Sequence, residues 1–319
     1  MIGAVVVFYH PDLTLLERLL TSLIGQVDRV VAVDNTPSPP ATMEPFLGRF
    51  QYPISYLPLG DNNGVAEAHN IGIQENIRHG CSHVLLLDQD SELPSGMVSK
   101  LLAAEGQLLN VGIKVAAVGP RYVDEKTDIP SFAIRYGIFT VRKIKLDPRS
   151  STPVQTDILI ASGAIIRTAA LEAVGLMRDD LFIDLVDTEW ALRAGSMGYK
   201  SYCIPSASMM HSVGDEAIDV FGKSVYLHSD IRKYYRLRNA MYLLRLSSMG
   251  RPWRCYILRW MPYYFLLTLL ISKDKLRNAR LLLRALRDGL LGRLEPADDS
   301  RVEPDARLEK GHLSLGKGR

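Results

Sequence analysis

The chain has 319 residues, 47% hydrophobic and 23% charged, with a formal net charge of +3. That length buries one large α/β core with an appendage, or two domains, and the near-balanced charge excludes a general polyanion binder, so no nucleic-acid partner is expected. Three scattered cysteines, Cys81, Cys203 and Cys255, fit a reducing compartment better than a disulfide framework.

The opening stretch MIGAVVVFYHPD has neither a basic leader nor a small-residue cleavage site. Its Ile2–Phe8 run predicts a strand buried on both faces. Asp12–Ile24 follows with leucines at helical spacing; Asp12 is the expected cap, and Thr14 with Glu17 forms a candidate capping box. Arg29–Val33 predicts a second strand. A proline-rich connector then leads to a short strand at Ile54–Leu57. GDNNGVAEAHNIGI opens a helix, His83–Leu87 predicts a strand, Pro94–Leu109 a helix and Val115–Gly119 a strand. Strand, helix and strand in series argue for a parallel sheet with right-handed crossovers. Pro120 to Pro153 reads as an irregular insertion or edge hairpin. Asp157–Ser162 and Lys200–Ile204 predict further strands, with a helix over Thr188–Met197 between them.

In open parallel sheets, ligands sit beyond the carboxyl ends of the strands. The polar residues expected there are Tyr9, His10, Pro11 and Asp12 after the first strand, Asp34 and Asn35 after the second, and Asp88, Gln89 and Asp90 after His83–Leu87. Helix capping accounts for any one of these alone; three acidic clusters on one rim are harder to attribute to chance. Asp-x-Asp after a buried strand offers hard oxygens to Mg²⁺ or Mn²⁺, which bridges phosphates. No phosphate-binding loop of the Gly-x-x-x-x-Gly-Lys-Ser/Thr type is present, and the spaced glycines of a dinucleotide site are absent after the first strand. Further on, Asp184, Asp187 and Glu189 precede or open a helix. A carboxylate there takes a proton from an acceptor hydroxyl, or caps the helix and favours its dipole. Trp190 is an acceptor platform or core, with core favoured. His211 is a structural histidine or completes a metal shell.

Taken together, VVVFYHPD, VAVDN, DNNGVAEAHNIGI, LLLDQDS, SGAIIR, DLVDTEWALRAGSMGY, His211 and YYRLRN resemble the inverting family 2 glycosyltransferases with the GT-A fold. DQDS and DTEW are most similar to the bacterial rhamnosyltransferases of polysaccharide and O-antigen assembly. The resemblance runs to about Asn239 and implies an α/β fold with a mostly parallel central sheet plus a C-terminal helical extension. It implies that Tyr9, Pro11, Asp34 and Asn35 hold the nucleobase and nearby sugar, and that Asn63, Gly64 and Asn70 shape the nucleotide pocket. Asp88, with Gln89 beside it, lies near the ribose and metal; Asp90 and His211 ligate Mg²⁺ or Mn²⁺. Asp187 takes the place of the base, and Ser162, Gly163, Asp184, Glu189, Trp190 and Arg238 lie near the donor or acceptor sugar. Many relatives carry Glu-Asp where this chain has Val186-Asp187, which leaves Asp184 and Glu189 as rivals. The implied donor is a dTDP-sugar, dTDP-rhamnose first, and the implied acceptor is a glycan or lipid-linked glycan. Other family 2 sugars (galactofuranose, glucose, N-acetylglucosamine), a nucleotidyltransferase and an inactive nucleotide-binding scaffold are the alternatives.

From His228 onward long helical patterns rich in Arg and Tyr replace the strands. Residues 1–227 are expected to form the catalytic domain, 228–293 a helical region and 294–319 a disordered tail. Arg232, Arg236 or Arg238 closes over a diphosphate, or snorkels from a packed helix. WMPYYFLLTLLI, followed by basic residues, is too short and too broken by Pro262 for an ordinary span. It suggests an interfacial helix pair on the cytoplasmic face of an inner membrane, or else core packing or a homodimer contact.

Overall fold

The computed structural model describes residues 1–124, 128–211, 217–220, 223–226 and 228–296, with backbone alone from 211 to 227. The first half alternates as expected: β1 (Ile2–Phe8), α1 (Leu13–Ser22), β2 (Arg29–Asp34), α2 (Met43–Leu47), β3 (Ile54–Pro58), α3 (Gly64–Arg78), β4 (His83–Asp88), α4 (Met97–Asn110) and β5 (Val115–Asp124). After them come β6 (Phe132–Tyr136), β7 (Val141–Lys145), β8 (Val154–Thr156), β9 (Ile165–Arg167), α5 (Thr168–Val174), α6 (Val186–Ser196) and β10 (Lys200–His211). The short strands β11 (Ala217–Val220) and β12 (Lys223–Tyr226) lead to α7 (Asp230–Leu243), α8 (Arg251–Ile271) and α9 (Lys275–Leu291).

Eight strands form the central sheet in the order β3-β2-β1-β4-β9-β5-β10-β8. The β3-β2-β1-β4 pairings are parallel, as is β5 with β10; β9 runs antiparallel between β4 and β5, and β8 is an antiparallel edge. Apolar strand residues alternate between two cores. Val5, Val7, Val31 and Val33 face one core, and Ala4, Val6, Val30 and Ala32 face the other, as the two-residue repeat of a strand requires. The second core is closed by α1 and α4 through Leu16, Leu20 and Leu101. The first is continuous with Leu237, Trp253 and Leu282 of α7, α8 and α9, so the C-terminal helices cover the sheet rather than standing apart from it.

Asp12 caps α1, accepting from the Thr14 and Leu15 amides at 2.7 and 3.3 Å. The Thr14–Glu17 box does not form, because Glu17 pairs with Arg49 at 2.6 Å. The strand predicted over Asp157–Ser162 is a loop, and the ladder positions fall to its short neighbours β8 and β9. The insertion after Pro120 contains the expected hairpin, β6–β7. All three cysteines are free thiols. Among the described residues, no helix is long and apolar enough to cross a membrane. Residues 297–319, most of the predicted tail, lie outside the described part.

Candidate active site

The carboxyl ends of β1, β2 and β4 meet in a hydrogen-bonded rim. The Asn35 amide donates to the Phe8 carbonyl at 2.8 Å, and the Tyr9 amide donates to Gln89 Oε1 at 2.8 Å. Asn35 Oδ1 accepts from the Asn63 amide at 2.8 Å, while its Nδ2 donates to Asn62 at 2.9 Å. Asn35 therefore fixes the start of α3 against the end of β2. Asp34 is fully buried, its two carboxylate oxygens accepting from the Thr36 amide at 3.0 Å and from the Tyr56 hydroxyl at 2.9 Å. Tyr9 stays exposed at the rim, its ring edge-on to His10 at 4.4 Å.

Asp88 ends β4 opposite Val7, and Asp90 follows in the turn whose Ser91 amide donates to the Asp88 carbonyl at 3.1 Å. An isolated bridge joins Glu92 to Met210, so the end of β10, with His211, lies beside this turn. The His211 side chain is outside the described part. Ser91 and Ser162 hydroxyls are bonded to each other and buried. The Gly163 amide donates to the Leu86 carbonyl at 2.8 Å. A Cβ on Gly163 would meet Met209 Sδ at 2.7 Å and Pro120 Cγ at 2.8 Å. Ser162 and Gly163 thus dock their loop onto β4.

Across the rim, residues 182–187 carry the carboxylates. Phe182, Asp184 and Leu185 all have left-handed φ, between 63° and 64°, a conformation that persists only where the surroundings enforce it. Two helices do so here. From α3, Gly64 abuts Phe182 so closely that a Cβ would lie 2.6 Å from its ring. From α7, Asn239 Nδ2 donates to the carbonyls of Leu181, Ile183 and Asp184 at 2.9, 2.8 and 2.9 Å. Tyr235 stacks on Phe182 at 4.7 Å. Asn239 and Tyr235 went unassigned in the sequence reading, although YYRLRN carried them both. Gly64→Ala should therefore cost about 2–4 kcal/mol from backbone strain and overpacking. Gly25→Ala, at φ 73° with open space around it, should lose only the strain component; urea melts of the two variants separate the effects.

Several side chains expected at the ligand are engaged by the protein itself. Arg238 is buried and donates to the carbonyls of Asp180, Leu181, Leu294 and Glu295, so it staples the chain. Arg232 pairs with Asp184 at 3.0 Å, and Arg236 bonds His228 at 2.8 Å. Asn70 engages its side-chain amide with the Met177 backbone, donating and accepting at 2.9 Å. Trp190 is 2% exposed and donates to the Gly175 carbonyl at 2.8 Å; it is core, not an acceptor platform. Glu189 is buried in a pair with Arg193 at 2.9 Å.

That leaves Asp187, in the first turn of α6. Among the described residues it accepts only from Thr188, whose amide lies at 2.6 Å. Burial first, then the nearby Asp184 and Asp88 carboxylates, pushes its pKa up from 3.8 to about 6 against the Thr188 bonds. A cavity of about 100 Å³ opens beside it, lined by Ile134, Leu159, Ile160 and Thr188. The arrangement sets one half-buried carboxylate of raised pKa against a cavity, with Asp184 and Asp88 close by.

The sequence profile of Glycosyl transferase family 2 matches residues 4–175, and the chain is 34% identical over 253 residues to dTDP-rhamnosyl transferase RfbF of Shigella flexneri, covering 78% of this chain and 81% of that protein. The chain is a family 2 glycosyltransferase. Its fold is of the GT-A type. GalNAc-T7 with UDP, GalNAc and Mn²⁺ superposes with a TM-score of 0.59 at 13% identity, over 91% of this glycosyltransferase but only 56% of that chain. S. aureus TarS 1-349 with UDP-GlcNAc gives 0.58 at 13% identity, over 92% and 82%. At such identities the likeness concerns the fold.

Proposed function

We propose that this glycosyltransferase moves rhamnose from dTDP-rhamnose to a saccharide or lipid-linked acceptor in cell-surface polysaccharide synthesis, with inversion, in the cytoplasm. The relative from Shigella flexneri, described as a dTDP-rhamnosyl transferase, supports the donor. The mechanism rests on one observation: among the described residues, Asp184 and Glu189 each hold an arginine whereas Asp187 pairs with none. Asp187 takes the proton from the acceptor hydroxyl, which attacks the anomeric carbon from the face opposite the departing nucleoside diphosphate. Tyr9, Asn35 and Asn63 form the nucleotide side, with Gln89 holding the Tyr9 backbone and the buried Asp34 supporting the rim through Thr36 and Tyr56.

Asp88 and Asp90 fit a divalent cation: two hard carboxylates at a strand end suit Mg²⁺ or Mn²⁺, which fills its shell with substrate phosphates. His211, at the adjacent end of β10, is the third candidate ligand. When bound, the cation offsets the charge developing on the leaving diphosphate. Incubation with dTDP-rhamnose and an acceptor, with Mn²⁺ or with EDTA, should release dTDP only with the metal. UDP-GlcNAc should be a poor donor, and release of pyrophosphate instead of dTDP would overturn the sugar-transfer reading. Asp90→Ala should weaken Mn²⁺-dependent dTDP binding on the order of tenfold or more, since outer partners of a ligand alone cost that much. Calorimetry reads this without turnover; unchanged metal dependence removes Asp90 from the shell.

A further inference from the structure

One face of the molecule takes no part in the catalysis described above. Phe139, at the tip of the β6–β7 hairpin, is 86% exposed, with Ile138 exposed beside it. Arg259 of α8 donates to the Ile138 carbonyl at 3.3 Å, and the rings of Tyr136 and Tyr256 meet at 5.2 Å, so hairpin and helix lie side by side. Along α8, Tyr263, Leu266 and Leu270 share one helical face with Leu258 at its edge, all exposed, Leu270 by 74%. Single exposed apolar side chains are ordinary; a row continued across two elements marks a contact surface.

Charge identifies what covers it. From Arg251 to Arg293 there are ten Lys and Arg but only two Asp, a net charge of +8 in a chain whose total is +3, so the rest of the molecule is net acidic. Both aspartates are committed. Asp274 caps α9 through the Arg277 amide at 2.9 Å, and the buried Asp288 accepts from the Tyr234 hydroxyl at 2.9 Å and pairs with Arg287. Lys273, Lys275 and Arg280 flank Leu270 and Leu276 around the α8–α9 turn, exposed like them, and β7 carries exposed Arg142, Lys143 and Lys145 along the strand leading away from the Phe139 tip. A second copy meeting this face through a twofold axis would bring like charge onto like charge. Apolar groups rimmed with cations are instead what an element lying in an anionic lipid surface requires, and no described helix is suited to crossing it. The same hairpin reaches the Asp187 cavity through Phe132 and Ile134, so the face adjoins the catalytic base.

We propose that this face docks peripherally on an anionic membrane, with the α8–α9 turn and the hairpin tip entering the headgroup layer. Docking does not depend on which sugar is transferred. The test is co-sedimentation of the full chain with phosphatidylcholine vesicles made with and without phosphatidylserine, at low and high salt. Wild type should sediment with the phosphatidylserine vesicles at low salt and be released at high salt. The variants Phe139→Asp/Leu270→Asp and Lys273→Glu/Lys275→Glu/Arg280→Glu change only exposed positions and should melt like wild type. Each should bind on the order of tenfold more weakly or worse. Absence of wild-type binding, or binding that ignores both phosphatidylserine and salt, overturns the proposal. So does a wild-type dimer in light scattering that Phe139→Asp/Leu270→Asp dissociates while vesicle binding is absent, which would assign the face to a second copy. Salt release of the wild type reports the same contact should a variant fail to fold.

Discussion

Asp187→Asn is expected to lower kcat by about 10²–10⁴-fold, the usual loss for a positioned base, and to raise the melting temperature at neutral pH. Both effects come from the same burial. With its pKa pushed up to about 6 from 3.8, the folded protein holds the Asp187 proton more tightly than the unfolded chain does. The stability this lends is complete below about pH 4 and lost as pH rises through about 6. At pH 7.5 the ionised carboxylate therefore opposes folding. The gap corresponds to at most about 3 kcal/mol, which solvent access at this half-buried position reduces to about 1–2 kcal/mol. Asn removes the charge and can still accept from the Thr188 amide. Calorimetric melts should show the stabilisation in full at pH 7.5, about half of it at pH 5 and none below about pH 4. Wild-type kcat/KM should fall below pH about 6, where the base is protonated, and that acid limb should vanish in whatever residual activity Asp187→Asn retains. Turnover within a few-fold of wild type would remove Asp187 from the mechanism.

What was legible in the sequence followed from how unambiguous each burial pattern was. Ile2–Phe8, Arg29–Asp34 and His83–Asp88 read as strands because both faces of the sheet are covered, which makes the runs continuously apolar. Asp157–Ser162 has the same composition for another reason. Leu159 packs within 2.9 Å of where a Gly119 Cβ would stand, and Leu159 and Ile160 line the Asp187 cavity; an apolar loop over a pocket cannot be told from a strand by composition. The three-residue strand β9 is too short to show any period.

The site divided along a similar line. Asp34, Asn35, Asp88 and Asp187 stand out in the sequence because acidic and amide residues there end or follow buried strands or open a helix, which is where the structure has them. The partners of Arg238 and Asn70 are backbone groups of distant segments, at Asp180, Leu181 and Met177. Such a partner leaves no mark in the local sequence, so a buried Arg that organises a loop looks like one that binds phosphate. The loop it organises is nonetheless the one that carries Asp187. These residues act at one remove, by holding a strained segment in place.

Glu189 gives the sharpest separation of structure from catalysis, because it was a rival for the base and lies two residues from it. Its carboxylate is buried and takes both Nε and Nη2 of Arg193, at 2.9 and 3.1 Å. The same guanidinium donates to the carbonyls of Val174 and Leu176, tying α6 to the end of α5. Glu189→Ala leaves a largely buried cation with carbonyls alone, and the loss of one partner of such a pair costs about 3–5 kcal/mol. A urea melt should show that loss. Glu189→Leu combined with Arg193→Met should recover most of it, since apolar replacement of a whole buried pair is often neutral, and the double-mutant cycle measures the coupling. Assayed well below its melting point, Glu189→Ala should keep kcat within a few-fold of wild type together with the acid limb near pH 6. A loss of about 10²-fold or more in folded Glu189→Ala, with the limb abolished, would transfer the role of base from Asp187 to Glu189.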